Sequence, residues 1–288
     1  MVFGERLARA MRDNGPLCVG IDPHPELLAQ WGLPDTAESL LAFGETVLEA
    51  SALSVAAVKP NAAFFERHGS RGIAALERLL ASARDKGIIT ILDAKRGDIG
   101  STMQAYADAF LRPGAPLEAD ALTVSPYLGF GSLAPALQLA EENGKGIFVL
   151  ALTSNMEGAS VQHAVGPDGP VARAIAEAAA ELNNAELKRT ASPMGSVGLV
   201  VGATVGDAVA ELGIDLAAVN GPLLAPGVGA QGATPTDVAK VFGEATSRVL
   251  VSQSRGVLQA GPFVEKLRGA IQAASGAAAY ILGPADQE

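Results

Sequence analysis

Eight short stretches of this chain are apolar at nearly every position, and each ends in polar, glycine or proline residues: 17–22, 55–59, 88–93, 119–125, 146–152, 196–202, 223–227 and 248–253. A strand with one wet face alternates apolar with polar residues. A strand apolar throughout is covered on both faces, as in a parallel sheet flanked by helices. Between the runs lie Ala- and Leu-rich stretches with helical spacing, among them 37–50, 70–86, 131–143, 171–188 and 235–242. The pattern predicts an α/β fold. Eight strand-helix units in 288 residues suit a single (β/α)8 TIM barrel of roughly 250 residues with insertions. A doubly wound sheet is the alternative, because the same local pattern serves it. No linker-like change in composition divides the chain, so one barrel domain over 1–288 is expected, with a short N-terminal helix and a frayed tail at 284–288.

Charge and cysteine usage narrow the partners. Lys and Arg number 21 against 31 Asp and Glu, a net charge of -10, which argues against nucleic acid or an anionic membrane as partner. A single cysteine, Cys18, cannot form an internal disulfide, and with three histidines it is too little for an ordinary Cys/His zinc site. With neither a signal-like start nor an apolar run of transmembrane length, a cytoplasmic protein is expected. The histidines, His24, His68 and His163, lie in Pro/Gly-rich or polar surroundings and are expected at the surface. Residues 201–208 lack the full dinucleotide-loop spacing, so they are expected to form a tight strand-to-helix turn.

The chemistry concentrates where runs end. Asp93, Lys95, Arg96, Asp98 and Thr102 crowd into one segment after the third run. Asp93 and Lys95, two apart, share a side of an extended chain, and Asp98 and Thr102 share a face if a helix begins after Gly97. The plain alternative is a strand-end turn in which Asp98 caps the next helix and Lys95 and Arg96 are solvated. Lys59 after the second run and Asp22 after the first bring further charges to the same rim. Such clusters shift pKa values and often mark functional sites. After the seventh run comes a glycine-rich stretch containing Gln231, and after the eighth comes Arg255. In a barrel these two loops are the usual phosphate site, although a glycine-rich loop alone is often only a turn. The long gap after the fifth run opens with a Ser/Gly/Asn/Pro-rich stretch, 153–170, which is either an active-site lid or a disordered surface loop.

The segment Leu92-Asp93-Ala94-Lys95-Arg96-Gly97-Asp98-Ile99-Gly100-Ser101-Thr102 resembles the signature of the orotidine 5'-phosphate decarboxylase family, in the form of its longer bacterial (type 2) subclass. The resemblance extends over nearly the whole chain. It implies conversion of orotidine 5'-phosphate (OMP) to UMP and carbon dioxide, the last step of pyrimidine nucleotide synthesis, with no metal or organic cofactor. It also implies roles: Lys95 as proton donor held by Asp93, Asp98 and Lys59; Asp22 and Lys59 on the ribose; Ser154 on the base; Gln231 and Arg255 on the phosphate. A homodimer is implied, with Asp98 and Thr102 reaching into the neighbouring subunit's site. Arg96 and Gly97 inherit no role, since shorter members carry other residues there. Two rivals stand beside this reading. One is a magnesium-dependent sugar-phosphate decarboxylase or aldolase of the same superfamily, and the other is a catalytically silent barrel that binds nucleotides or a partner protein.

Overall fold

In the computed structural model, which describes residues 1–228 and 232–283, the eight apolar runs are eight strands. They are β1 (Leu17–Ile21), β2 (Ala57–Pro60), β3 (Ile91–Arg96), β4 (Ala121–Val124), β5 (Gly146–Leu152), β6 (Val197–Val201), β7 (Leu223–Pro226) and β8 (Val249–Gln253). Every pairing between them is parallel, in the order β2-β1-β8-β7-β6-β5-β4-β3. Bridges from Val58 to Thr90 and from Asn61 to Asp93 join β2 to β3 and close the circle. Sequential neighbours around a closed sheet make a (β/α)8 barrel; a doubly wound sheet would be open and reordered.

The two-residue repeat of a strand fixes what fills the barrel. Cys18, Ala57, Ile91, Ala121, Phe148, Val200, Leu224 and Leu250, one from each strand, form one apolar cluster with Phe3 and Leu7 of the N-terminal helix Phe3–Asn14. Phe3 meets the ring of Phe148 edge-on, centroids 6.1 Å apart. A Cβ on Gly146 would stand 2.3 Å from the Phe3 ring, so only glycine lets this plug seat. The N-terminal mouth is thereby stoppered. Two residues further along the same faces stand Lys59 on β2, Asp93 on β3, Thr123 on β4 and Ser252 on β8. One apolar layer therefore sits beneath a polar layer that opens at the C-terminal mouth.

The helices Ala37–Ser51, Gly69–Asp85, Val171–Thr190 and Pro235–Phe242 fall within two residues of their predicted limits. The segment 131–143 divides into a 3-10 turn, Phe130–Leu133, and a helix, Ala134–Glu142, whose first turn carries Pro135. Proline suits that turn because the N–H it lacks has no helical acceptor there. The 153–170 stretch is not disordered: it holds a 3-10 turn at Met156–Gly158, a helical turn at Ala159–Gln162 and a small antiparallel ladder of Val165–Gly166 with Gly169–Pro170. The Gln162 amide pins its base, accepting from the Thr153 N–H at 2.9 Å and donating to the Thr153 hydroxyl at 2.7 Å. The tail at 284–288 lies outside the described residues. Among those described, no helix is long and apolar enough to cross a membrane.

Candidate active site

A cleft of about 540 Å³ opens at the C-terminal mouth, lined by Asp22, Lys59, Asp93, Lys95 and Arg255 with residues of β4 to β8. Its floor is an ionic chain. Asp93 accepts hydrogen bonds from Lys59 Nζ at 3.0 Å on Oδ2 and from Lys95 Nζ at 2.6 Å on Oδ1. The Asp93 and Lys59 side chains are buried, while that of Lys95 is 50% exposed, so one end of the chain is dry and the other faces the cleft. Burial pushes the Asp93 carboxyl upward, but the ammonium groups of Lys59 and Lys95 outweigh it and hold the carboxyl at about 2. Burial likewise pulls Lys59 down, and the charges of Asp93 and Asp22 more than reverse it, so its ammonium is raised above its ordinary value. Asp93 and Lys59 are therefore charged at neutral pH.

The chain reaches this geometry by leaving the extended path. Lys95 has φ +48°, the left-handed region that costs a non-glycine residue about 1 kcal/mol or more. The β3–β4 register breaks between Leu92 and Arg96, and the kink folds the Lys95 side chain back to Asp93. Arg96 is neither solvated nor in the cleft. Its guanidinium donates to the Ala94 carbonyl at 3.0 Å, pairs with Glu66 and stacks 5.6 and 5.7 Å from the ring centroids of Tyr106 and Phe110. It thus braces the end of β3 against the helices on either side. A Cβ on Gly97 would stand 2.4 Å from the Ser125 carbonyl oxygen, which leaves glycine the only residue that fits the exit.

Next to Lys59, at the ends of β1 and β8, the Ser254 hydroxyl donates to Asp22 Oδ2, whereas Asp22 Oδ1 is buried with no hydrogen-bond partner among the described residues. Arg255 opens the helical turn Arg255–Leu258 at the cleft edge. Gln231 lies outside the described residues. In a flank groove of similar size, about 560 Å³ between Ala134–Glu142 and Val171–Thr190, Lys145 is paired with Glu118 and Arg189 with Glu141, and the Glu186 carboxylate accepts from the Ser196 N–H and hydroxyl.

Asp98 and Thr102 do not line this chain's own cleft. The helix starts at Gly100, three residues later than Gly97, and its N-cap is Ile99 with no side-chain cap; the Asp98 carboxylate instead accepts from the adjacent Ile99 N–H at 2.8 Å. Ser154 is exposed, and its neighbours Thr153 and Asn155 line the cleft in its place. Two of the three histidines are not simply surface residues: His24 lines the cleft and meets the Phe64 ring edge-on, centroids 4.3 Å apart, and His68 is largely buried beside Asp35. Sequence reasoning also passed over Thr123, Ser252 and Ser254, although for Thr123 and Ser252 a polar residue interrupting an apolar strand at the height of Lys59 and Asp93 was a legible signal.

A closed barrel with an ionic chain at its C-terminal mouth, the face on which enzymes of this fold carry their active sites, defines an enzyme of the (β/α)8 class. The model of the orotidine 5'-phosphate decarboxylase / HUMPS family matches residues 15–270, and the chain belongs to that family. Orotidine 5'-phosphate decarboxylase of Streptomyces coelicolor is 58% identical over 271 residues, covering 93% of this chain and 94% of that protein. A crystal structure from Streptomyces avermitilis superposes with a TM-score of 0.90 at 57% identity, covering 96% of this chain and 94% of that one. The structure of Leishmania donovani OMP decarboxylase gives 0.75 at 31% identity, over 98% and 99% of the two chains.

Proposed function

We propose that this protein decarboxylates OMP to UMP and carbon dioxide, the last step of pyrimidine nucleotide synthesis, as a cytoplasmic homodimer of one-domain barrels. The observation that carries the reading is the Lys59–Asp93–Lys95 chain, which fixes an ammonium beside a carboxylate at the floor of a nucleotide-sized cleft. Loss of carbon dioxide leaves the bonding electron pair on C6 of the pyrimidine, in the ring plane and without π-delocalisation. The site must therefore meet a localised negative charge. Lys95 supplies a positive charge there and then transfers a proton from Nζ to C6, completing UMP; solvent reprotonates the amine. Asp93 holds that ammonium and lies next to the departing carboxylate. Lys59 neutralises the far oxygen of Asp93.

Asp22 Oδ1, buried and partnerless among the described residues, suits a ribose hydroxyl donor, with Lys59 close by. Arg255, with Gln231 on the preceding loop, would grip the phosphate and spend that remote binding energy on the barrier. The base falls to the Thr153-Ser154-Asn155 stretch, of which Thr153 and Asn155 already face the cleft. The placement of Asp98 and Thr102 outside their own cleft supports service to a second subunit's site. Exposed apolar side chains beside them on the same rim, Ile99 (62%), Tyr127 (77%) and Leu128 (52%), are surface for that subunit to cover.

The test is the fall in absorbance when purified protein meets OMP in the presence of EDTA. Turnover supports the reading. Failure with OMP, or metal-dependent turnover of a keto sugar phosphate, would replace it with the aldolase-like chemistry of the wider family.

A further inference from the structure

We propose that Thr123 is a positioning residue for catalysis: its hydroxyl, through three hydrogen bonds, holds the left-handed turn of β3 that aims the Lys95 ammonium. The β3–β4 ladder runs from Ile91 opposite Ala121 to Leu92 opposite Leu122 and resumes only at Arg96 opposite Val124. Four steps on β3 thus face two on β4, and the surplus residues lose the carbonyls that a regular ladder would give their N–H groups. Thr123 stands opposite the surplus and replaces them. Its Oγ1 accepts from the N–H of Ala94 and of Lys95, both at 3.0 Å, and donates to Asp93 Oδ1 at 2.9 Å.

A hydroxyl has one proton and two lone pairs, so all of its capacity is spent here. At 1% exposure the hydroxyl is shielded from solvent. The same Asp93 oxygen accepts from Lys95 Nζ at 2.6 Å, so one threonine fixes both the backbone from which the lysine springs and the carboxylate at which it ends. This matters because the lysine side chain is half exposed and has four rotatable bonds. Its direction is set by the strained φ of +48° at its own Cα, and such a conformation persists only where its surroundings over-determine it.

The inference rests on Lys95 being the proton donor. Thr123→Val keeps the shape and removes the hydroxyl, whereas Thr123→Ser keeps the hydroxyl. For T123V we expect kcat to fall at least tenfold with KM changed less than threefold, and the acid limb of kcat to move to higher pH as Asp93 loses a donor. T123S should stay within threefold of wild type. T123V within threefold of wild type, or T123S as impaired as T123V, overturns the proposal. Should T123V not fold, Thr123→Ala is judged against T123S by the same criteria. Lys95→Ala measured alongside separates the two failures: an active K95A overturns the assignment of Lys95, whereas an inert K95A beside an active T123V overturns only the role of Thr123.

Discussion

Asp93→Asn removes one negative charge from between two ammonium groups while keeping the side chain's shape. Lys59 then keeps only the more distant charge of Asp22, with no salt-bridge partner among the described residues, and its side chain is only 11% exposed. Two routes size the effect. In the folded protein the Asp93 carboxyl lies at about 2 against an ordinary 3.8, nearly two pKa units, and at about 1.4 kcal/mol per unit that is roughly 2.5 kcal/mol. Breaking a buried pair by removing one partner costs about 3–5 kcal/mol, because the other charge is stranded. The expected loss is about 3 kcal/mol at pH 7, read from urea unfolding. The sign with pH follows from a folded pKa below the unfolded one. The stabilisation by Asp93 is complete above about pH 4 and is lost as the pH falls toward 2, so the gap between wild type and D93N should close over that window. Adding Lys59→Met to D93N should recover stability by removing the stranded charge. A gap under about 1 kcal/mol at pH 7, a gap that widens on acidification, or a double variant less stable than D93N would refute the reasoning.

Arg255→Ala should lower kcat/KM for OMP and hardly change the slow reaction of the nucleoside lacking its phosphate; equal losses for both substrates would make Arg255 a support of the fold instead. Lys95→Ala and Asp98→Ala homodimers should both be nearly inactive. Co-refolded in equal amounts with random pairing, about half the dimers are mixed and each has one intact site, so about a quarter of wild-type activity should return. No recovery on mixing would place Asp98 in the site of its own chain.

The barrel was legible because its strands are covered on both faces for most of their length and therefore apolar at nearly every position before their C-terminal ends, which marks all eight in the sequence. Helix Val264–Leu282 was not, since only Leu267, Ile271 and Ala278 of its residues are buried and an Ala-rich surface carries almost no stripe. The ionic chain could be anticipated from strand ends and two-residue alternation, but the way Lys95 meets Asp93 could not. An extended strand would bring the two side by side, whereas the structure uses a left-handed kink, a register break and a threonine on the next strand, none of which leaves a periodic trace. Arg96 looks like part of the charged cluster by sequence; only the fold, with Glu66, Tyr106 and Phe110 converging on it, turns it outward. Ser154 missed the cleft for a related reason. Irregular backbone after β5 sets which of three adjacent polar side chains points inward, and no repeat encodes that.

The central claim is that an ammonium fixed by Asp93 stabilises and then protonates the C6 carbanion. Wild type and Lys95→Ala should be compared in one assay of UMP formed from OMP, after UMP binding has been measured for each to establish that the variant's cleft is intact. The account predicts binding within a few-fold and a fall in decarboxylation of at least about 10³-fold, equivalent to ~4 kcal/mol of barrier. A K95A protein that binds UMP and decarboxylates OMP within tenfold of wild type would contradict it.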